Sequence, residues 1–242
     1  METSGSFAFF VAQCQGCTRV SVLWQAALTY LHAQGIKMVS YHSNDAQRPG
    51  SDHLGIVADG FPQDWVCHYI GDNLSKVDPI PQLAARVGRP FLWSRAADLE
   101  ALTPAQLAYL QELSSSGLGD GLAMCAYGPG MRNAYVGLGF GGPAPDLSDT
   151  QIFELQCAVQ ICHLKYCELT EWRQASFDPL TKREREVLEW IAQGKSNSVI
   201  AEILGISRHT VDTLLRRLYE KLGVNDRTTA AIRGVGSGLV VV

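Results

Sequence analysis

Trp65 and Tyr69 stand four residues apart, Asp78 follows nine residues after the tyrosine, and Trp93 lies fifteen beyond that. Together they supply two indole N–H donors, a phenol and a carboxylate among large ring surfaces, the equipment of a small apolar pocket with few polar fixtures. The i, i+4 spacing puts Trp65 and Tyr69 on one face of a helix. The same pair also fits an ordinary packed core, and Asp78-Pro79 also fits a helix start, so these residues alone leave both readings open.

A second group lies between Thr181 and Val224. Thr181 and Glu184 have capping-box spacing, with Val187, Leu188 and Ile191 as the apolar stripe of a helix that Gly194 ends. The spacing predicts a short second helix over 196–204 that buries Val199, Ile200, Ile203 and Leu204. Gly205 then supplies a tight exit and Ser207 caps a third helix. Ala201, Gly205 and Val211 match the small contact residue, turn former and apolar anchor of a helix-turn-helix. At 100° per residue Val211, Leu215, Leu218 and Leu222 share one side of the third helix, and His209, Asp212, Thr213 and Arg216 share the other. That polar side suits a DNA major groove. The candidate DNA-contacting residues are Lys195, Ser207, Arg208, His209, Asp212, Thr213, Arg216 and Arg217.

A net charge of -4 over 242 residues argues against nucleic-acid binding by the chain as a whole. Split by position, residues 180–242 carry 10 basic and 7 acidic residues, net +3, and residues 1–179 carry 10 and 17, net -7. The basic segment is the helix-turn-helix segment, beside a separate acidic domain that avoids phosphates. No apolar run approaches a membrane span and no basic region precedes FAFFVA, so a cytoplasmic protein without membrane partners is expected. Seven cysteines without a paired framework fit reduced thiols. Cys14-x-x-Cys17 lacks a second metal-binding pair, which leaves small hydrophobes on an amphipathic helix as the simpler reading. Cys157, Cys162 and Cys167, beside His163, fit helix packing.

The elements that must position these groups follow in order. A helix is expected over 18–34, strands over 37–43 and 54–57, and helices from Pro62 and from Asp78-Pro79 to about Val87. Phe91 to Trp93 is a short apolar piece, and Thr103-Pro104 opens another helix. Strands 121–127 and 133–140 flank Gly128-Pro129-Gly130 as a hairpin, and Ser148 with Gln151 caps a helix ending near Arg173. The fold class is α+β: an N-terminal α-β-α sandwich with helices on both faces of a mixed-order sheet, followed by an all-α helix-turn-helix domain. The expected boundaries are 1–173 for the ligand-binding domain, 174–179 for the linker and 180–242 for the DNA-binding domain.

The sequence resembles the LuxR-type quorum-sensing transcription factors, which join an acyl-homoserine-lactone-binding domain to a helix-turn-helix. The resemblance covers nearly the whole chain. It rests on W-x-x-x-Y (Trp65, Tyr69), the D-P of Asp78 and Pro79, Trp93 and Gly121. In the second domain it rests on L-T-x-R-E from Leu180, I-A-x-x-L from Ile200, T-V at Thr210 and K-L-G-V from Lys221. It implies that the Trp65 indole holds the lactone carbonyl, Asp78 accepts the amide N–H, Tyr69 donates to the acyl carbonyl and Trp93 walls the ring. Leaving either half of a buried amide unpaired costs about 1–3 kcal/mol. Ile80 and Gly137 depart from relatives that carry hydroxyls nearby, which favours an unsubstituted, branched or aryl acyl group over a 3-oxo chain. Asp212 and Leu214 also depart from the usual recognition helix and imply an unusual operator.

The resemblance further implies a homodimer on a two-fold-related DNA operator, with the lactone as ligand, no cofactor or metal, and RNA polymerase as a candidate partner. It suggests an activator, although the residues themselves leave activation and repression open. The alternative reading is an orphan receptor of the same fold that answers a different small molecule or acts without ligand. A phosphorylated response regulator lacks support, because no opening strand is followed by an acidic pair and a later phosphoacceptor Asp. An enzyme acting on the lactone lacks support too, since neither a GxSxG elbow nor an HxHxDH-like run is present.

Overall fold

The computed structural model describes residues 5–43, 56–170 and 179–240. It divides into two compact units, Met1–Gly128 with Arg132–Thr170, and Pro129–Met131 with Glu171–Val242.

The first unit opens with α1 (Phe7–Gly16), capped by Ser6, and α2 (Val20–Ala33). Strands β1 (Met38–Ser43) and β2 (Ile56–Asp59) follow, then α3 (Gln63–Gly71), α4 (Ile80–Val87), β3 (Phe91–Leu92), α5 (Ala96–Leu99) and α6 (Pro104–Ser115). The unit closes with β4 (Gly121–Ala126), β5 (Ala134–Gly139) and α7 (Asp149–Leu169). Ser148 and Gln151 form the capping box of α7, and Thr103 and Gln106 form one for α6. The helix end expected near Arg173, the loop before His53, the first two residues of the 54–57 strand and most of the linker lie outside the described residues.

The five strands form one sheet in the order β2-β1-β5-β4-β3, with antiparallel pairing throughout. The short apolar piece at Phe91 becomes its edge strand through pairing with β4, a long-range contact that its own sequence does not advertise. Side chains alternate along each strand, so the sheet buries two faces. Val39, Leu122, Met124 and Leu138 pack with α1, α2 and α7, whereas Met38, Ala123 and Trp93 pack with α4 and α6. Every residue of β4 is buried.

The second unit holds α8 (Lys182–Ala192), α9 (Asn197–Leu204), α10 (Arg208–Leu222) and α11 (Arg227–Gly236). Thr181 and Glu184 make the capping box, Ser196 and Ser207 cap the next two helices, and Gly205 and Gly223 end them with positive φ. Val187, Leu188, Ile191, Ile200, Val211, Leu215, Leu218 and Leu222 are buried in one core. Two residues expected inside are not: Val199 and Ile203 are 38% and 44% exposed. In a helix of two turns the core side is taken by Ile200, Ala201 and the half-buried Leu204, so Val199 and Ile203 share the flank. Among the described residues no helix is long and apolar enough to cross a membrane.

Candidate functional site

One face of the sheet and helices α3, α4 and α6 enclose a cavity of about 70 Å³. Trp65 and Tyr69 reach it from α3, Asp78 and Ile80 from the start of α4, Trp93 from the turn after β3, and Tyr135 from β5. Ser40, His42 and Tyr109 complete its polar lining. The structure thus brings together five of the six residues expected around a ligand. The sixth, Gly137, lies just behind them: a Cβ there would stand 2.7 Å from Ser40 Oγ, 2.8 Å from the Tyr135 hydroxyl and 3.4 Å from the Trp93 ring.

That crowding explains a glycine strip. A Cβ at Gly121 would meet the Trp93 ring at 2.6 Å and one at Gly139 would meet it at 3.0 Å, so the indole lies on strand backbone where no side chain fits. The hydroxyls of Ser40 and Tyr135 occupy the space that a side chain at Gly137 would take, an arrangement invisible without the β1–β5 register that sets Ser40 opposite Gly137.

Asp78 is only 8% exposed and its two oxygens are both engaged. Oδ1 accepts from the Ile80 backbone N–H and Oδ2 from the Tyr69 hydroxyl, each at 2.9 Å. Burial pushes its carboxyl up to about 6, against opposing hydrogen bonds from Ile80, Tyr69 and Tyr109. Burial, reinforced by the Asp78 charge, raises the Tyr69, Tyr109 and Tyr135 hydroxyls far above their ordinary value, so all three remain donors at neutral pH. Burial lowers His42 to about 4, which leaves a neutral imidazole set edge-on to Tyr135 at 4.9 Å and to Tyr69 at 6.4 Å. The Trp93 indole nitrogen is buried without a partner at full hydrogen-bond geometry, and it interacts with the Tyr135 hydroxyl. A buried indole donor and a buried carboxylate lining one cavity suit a ligand that carries both a carbonyl and an N–H.

Tyr109, Tyr135, His42 and Ser40 were not anticipated from sequence. The available signal was the period-two alternation on β1 and β5, which puts Ser40 with His42 and Tyr135 with Gly137 on common faces.

In the second unit Ser207, Arg208, His209, Asp212, Arg216 and Arg217 are exposed along or next to α10, while Thr213 and Lys195 are half-buried. The Thr213 hydroxyl donates to the His209 carbonyl at 3.0 Å. Asp212 Oδ1 accepts from Asn197 Nδ2 at 2.7 Å. Asn197 Oδ1 in turn accepts from Arg227 at 3.0 Å, and Arg227 also donates to the Lys195 carbonyl. Beneath the helices Lys221 donates to buried Glu184 at 2.8 Å, and the Thr181 backbone N–H donates to the same oxygen at 2.7 Å.

All seven cysteines are free thiols, with Cys14 and Cys162 Sγ 3.8 Å apart. No group of three or more His, Cys, Asp or Glu side chains among the described residues is placed to hold a metal ion.

A cavity-bearing α-β-α unit followed by a helix-turn-helix unit defines a two-domain regulator in which one part senses a small molecule and the other meets DNA. Residues 20–166 match the autoinducer binding domain family, and residues 178–233 match the bacterial regulatory proteins of the luxR family. The chain is 31% identical over 184 residues to the quorum sensing-dependent transcriptional regulator RpaR of Rhodopseudomonas palustris, covering 76% of this chain and 74% of that one. It is 31% identical over 196 residues to the transcriptional activator AnoR of Acinetobacter nosocomialis, covering 76% and 78%. The fold matches the crystal structure of Escherichia coli SdiA with a TM-score of 0.72 at 20% identity over 98% of both chains. SdiA in complex with octanoyl-rac-glycerol matches with a TM-score of 0.68 at 21% identity, over 96% of this chain and 94% of that one. The chain belongs to the LuxR family of quorum-sensing transcriptional regulators.

Proposed function

We propose that the first unit binds an acyl-homoserine lactone, and that the protein, as a cytoplasmic homodimer, then reads a two-fold-related operator through α10. The observation that carries the ligand reading is the buried Asp78 carboxylate, which shares one aromatic-walled cavity with the Trp65 and Trp93 indoles. In this reading Asp78 accepts the amide N–H, Trp65 and Trp93 turn indole donors and ring faces toward the lactone, and a tyrosine hydroxyl meets the acyl carbonyl. Tyr69 has a single O–H and directs it to Asp78, so it must rotate away to serve the carbonyl.

A cavity of about 70 Å³ is smaller than such a ligand. Binding therefore has to widen it, and a ligand seated in the core stabilises the folded state in proportion to its occupancy. The small volume also favours a compact acyl group, unsubstituted, branched or aryl. The DNA reading draws support from the exposed Arg208, His209, Asp212 and Arg216 on the α10 surface, together with the +3 charge of residues 180–242. RNA polymerase is a further partner on this reading.

Thermal melts of the full chain with a panel of acyl-homoserine lactones test it. A lactone at 100 times its Kd adds about 2.7 kcal/mol of stability. Asp78→Ala, by stranding the amide N–H, costs roughly 10- to 100-fold in affinity. Midpoints unmoved by every lactone at saturation favour the alternative, a receptor of the same fold that answers another molecule or acts without ligand.

A further inference from the structure

On the opposite face of the same sheet lies a second cavity, of about 370 Å³. It sits among β1, β5, α1, α2 and α7, and its rim carries Val20 and Val57, 38% and 48% exposed. Strand alternation keeps the two cavities apart: Ser40 and His42 of β1 line the first, and Val39, Tyr41 and Ser43 line the second. Ile56, at the start of β2, is the single lining residue they share among the described residues.

Among the described residues no Asp, Glu, Lys, Arg or His lines this second space. The Tyr41 hydroxyl is already engaged by His163 Nδ1 at 2.8 Å, and the Cys162 thiol contacts Cys14. Ser43 contributes a hydroxyl beside Val57. Apart from the Ser43 and Tyr166 hydroxyls and the Trp24 indole N–H the walls are apolar, and apolar walls left without a filling group lose packing contacts. Taking roughly 30 Å³ for a water-sized group, the space holds about a dozen methylene-sized groups.

We propose that this cavity is a second ligand site, separate from the Asp78 pocket, that takes one uncharged medium-chain alkyl or acyl amphiphile. The chain runs inward along Leu23, Ala27 and Val159, and the polar end stays at the rim near Ser43. The uncharged lining excludes an ionised head inside, because burying an unpaired charge costs far more than the packing of a hydrocarbon tail returns. The proposal stands whether or not the first cavity takes a lactone.

The tryptophans separate the two sites, since Trp24 lines the second cavity and Trp65 and Trp93 line the first. Full-length protein is titrated with 10-bromo-1-decanol, whose bromine quenches a neighbouring indole. Saturable quenching is expected in wild type and in Trp65→Phe, with loss of that component in Trp24→Phe. Should Trp24→Phe fail to fold, Ala158→Phe fills the cavity from α7 with Trp24 in place, and is expected to weaken the quenching at least tenfold in probe concentration. Saturable quenching that persists undiminished in Trp24→Phe, from Trp65 or Trp93, places the probe outside the second cavity and overturns the proposal. Quenching that rises linearly without saturating overturns it as well, because it reports collision and not a site.

Discussion

The Tyr69 hydroxyl donates to Asp78 at 2.9 Å while the Ile80 amide holds the other carboxylate oxygen at the same distance. Asp78 is thus oriented before any ligand arrives, and its raised pKa of about 6 makes its charge depend on pH near neutrality. The folded-state value lies above the unfolded one, so this group favours folding most below about 3.8, and that contribution is lost as pH rises through about 6. Asp78→Asn is therefore expected to raise the melting temperature of ligand-free protein at pH 7.5.

On the proposed lactone reading, the same shift governs ligand affinity. A lactone amide N–H needs the ionised carboxylate, so affinity is expected to fall by up to tenfold per pH unit below about 6, with proton release on binding there. Calorimetric titration in buffers of different ionisation enthalpy reads both quantities. A flat affinity between pH 5 and 8 in wild type, equal to that of Asp78→Asn, contradicts the anchoring role.

Gly137→Ser tests the crowded strip behind Trp93. Its Cβ would meet Ser40 Oγ at 2.7 Å and the Tyr135 hydroxyl at 2.8 Å, so the substitution is expected to cost about 1–3 kcal/mol by overpacking. Removing the Tyr135 hydroxyl relieves part of this clash. Gly137→Ser combined with Tyr135→Phe should therefore cost less than the sum of the single changes, by at least about 0.5 kcal/mol in urea melts. Strict additivity speaks against the close approach.

The buried Glu184 gives the second unit its acid sensitivity. Burial pushes its carboxyl up, but the Lys221 ammonium and the Thr181 donors more than offset this and hold it below the ordinary value. A depressed carboxylate stabilises the fold above its unfolded pKa, near 4.5, and loses that contribution as pH falls through the folded value. Lys221→Met removes the partner and is expected to cost about 1–3 kcal/mol at pH 7, at the lower end because Lys221 keeps 22% of its side chain exposed. The cost should shrink as pH falls through the folded value of Glu184, below which the carboxyl is protonated in both proteins. Chemical denaturation of residues 179–242 within the full chain, followed through Trp190 fluorescence, measures it.

Much of this was legible in the sequence where the signal is local. Capping boxes at Ser148 and Thr181, positive-φ glycines at 194 and 205, and the i, i+4 face of Trp65 and Tyr69 each require only a few neighbouring residues. Pairings across the chain were not readable. Helix α1 was read only as an unbounded helix carrying Cys14, because FAFFVA is apolar on every side and shows no stripe, and α11 escaped notice because its cap, Asp226 to Thr229, follows a run without strong periodicity. Tyr109 and Tyr135 enter the pocket from α6 and β5, elements far in sequence from Asp78, and only the fold brings them together. The asparagine that holds Asp212 sits fifteen residues upstream for the same reason.

On the proposed reading, base contact by Asp212 depends on that asparagine. Asn197 fixes Oδ1 of Asp212 at 2.7 Å and is itself held by Arg227, while Oδ2 of this exposed carboxylate takes no hydrogen bond from the described residues. Phosphates repel a carboxylate, so its favourable use in a major groove is to accept from a cytosine amino group, with Arg216 one turn on suited to guanine. Asp212→Ala is expected to lose preference at one base pair per half-site, by about 1–3 kcal/mol, and to strengthen non-specific binding because a negative charge has gone. Asn197→Ala keeps the charge but frees the side chain, so it should blunt the same preference by a smaller amount without raising non-specific affinity. Selection of sites from a random DNA pool with the three proteins decides between the possibilities. Identical base preferences in all three exclude Asp212 from readout. Loss of a guanine preference alone assigns Asp212 to steering Arg216. A preference lost in Asp212→Ala and fully kept in Asn197→Ala shows that the network does not position the carboxylate.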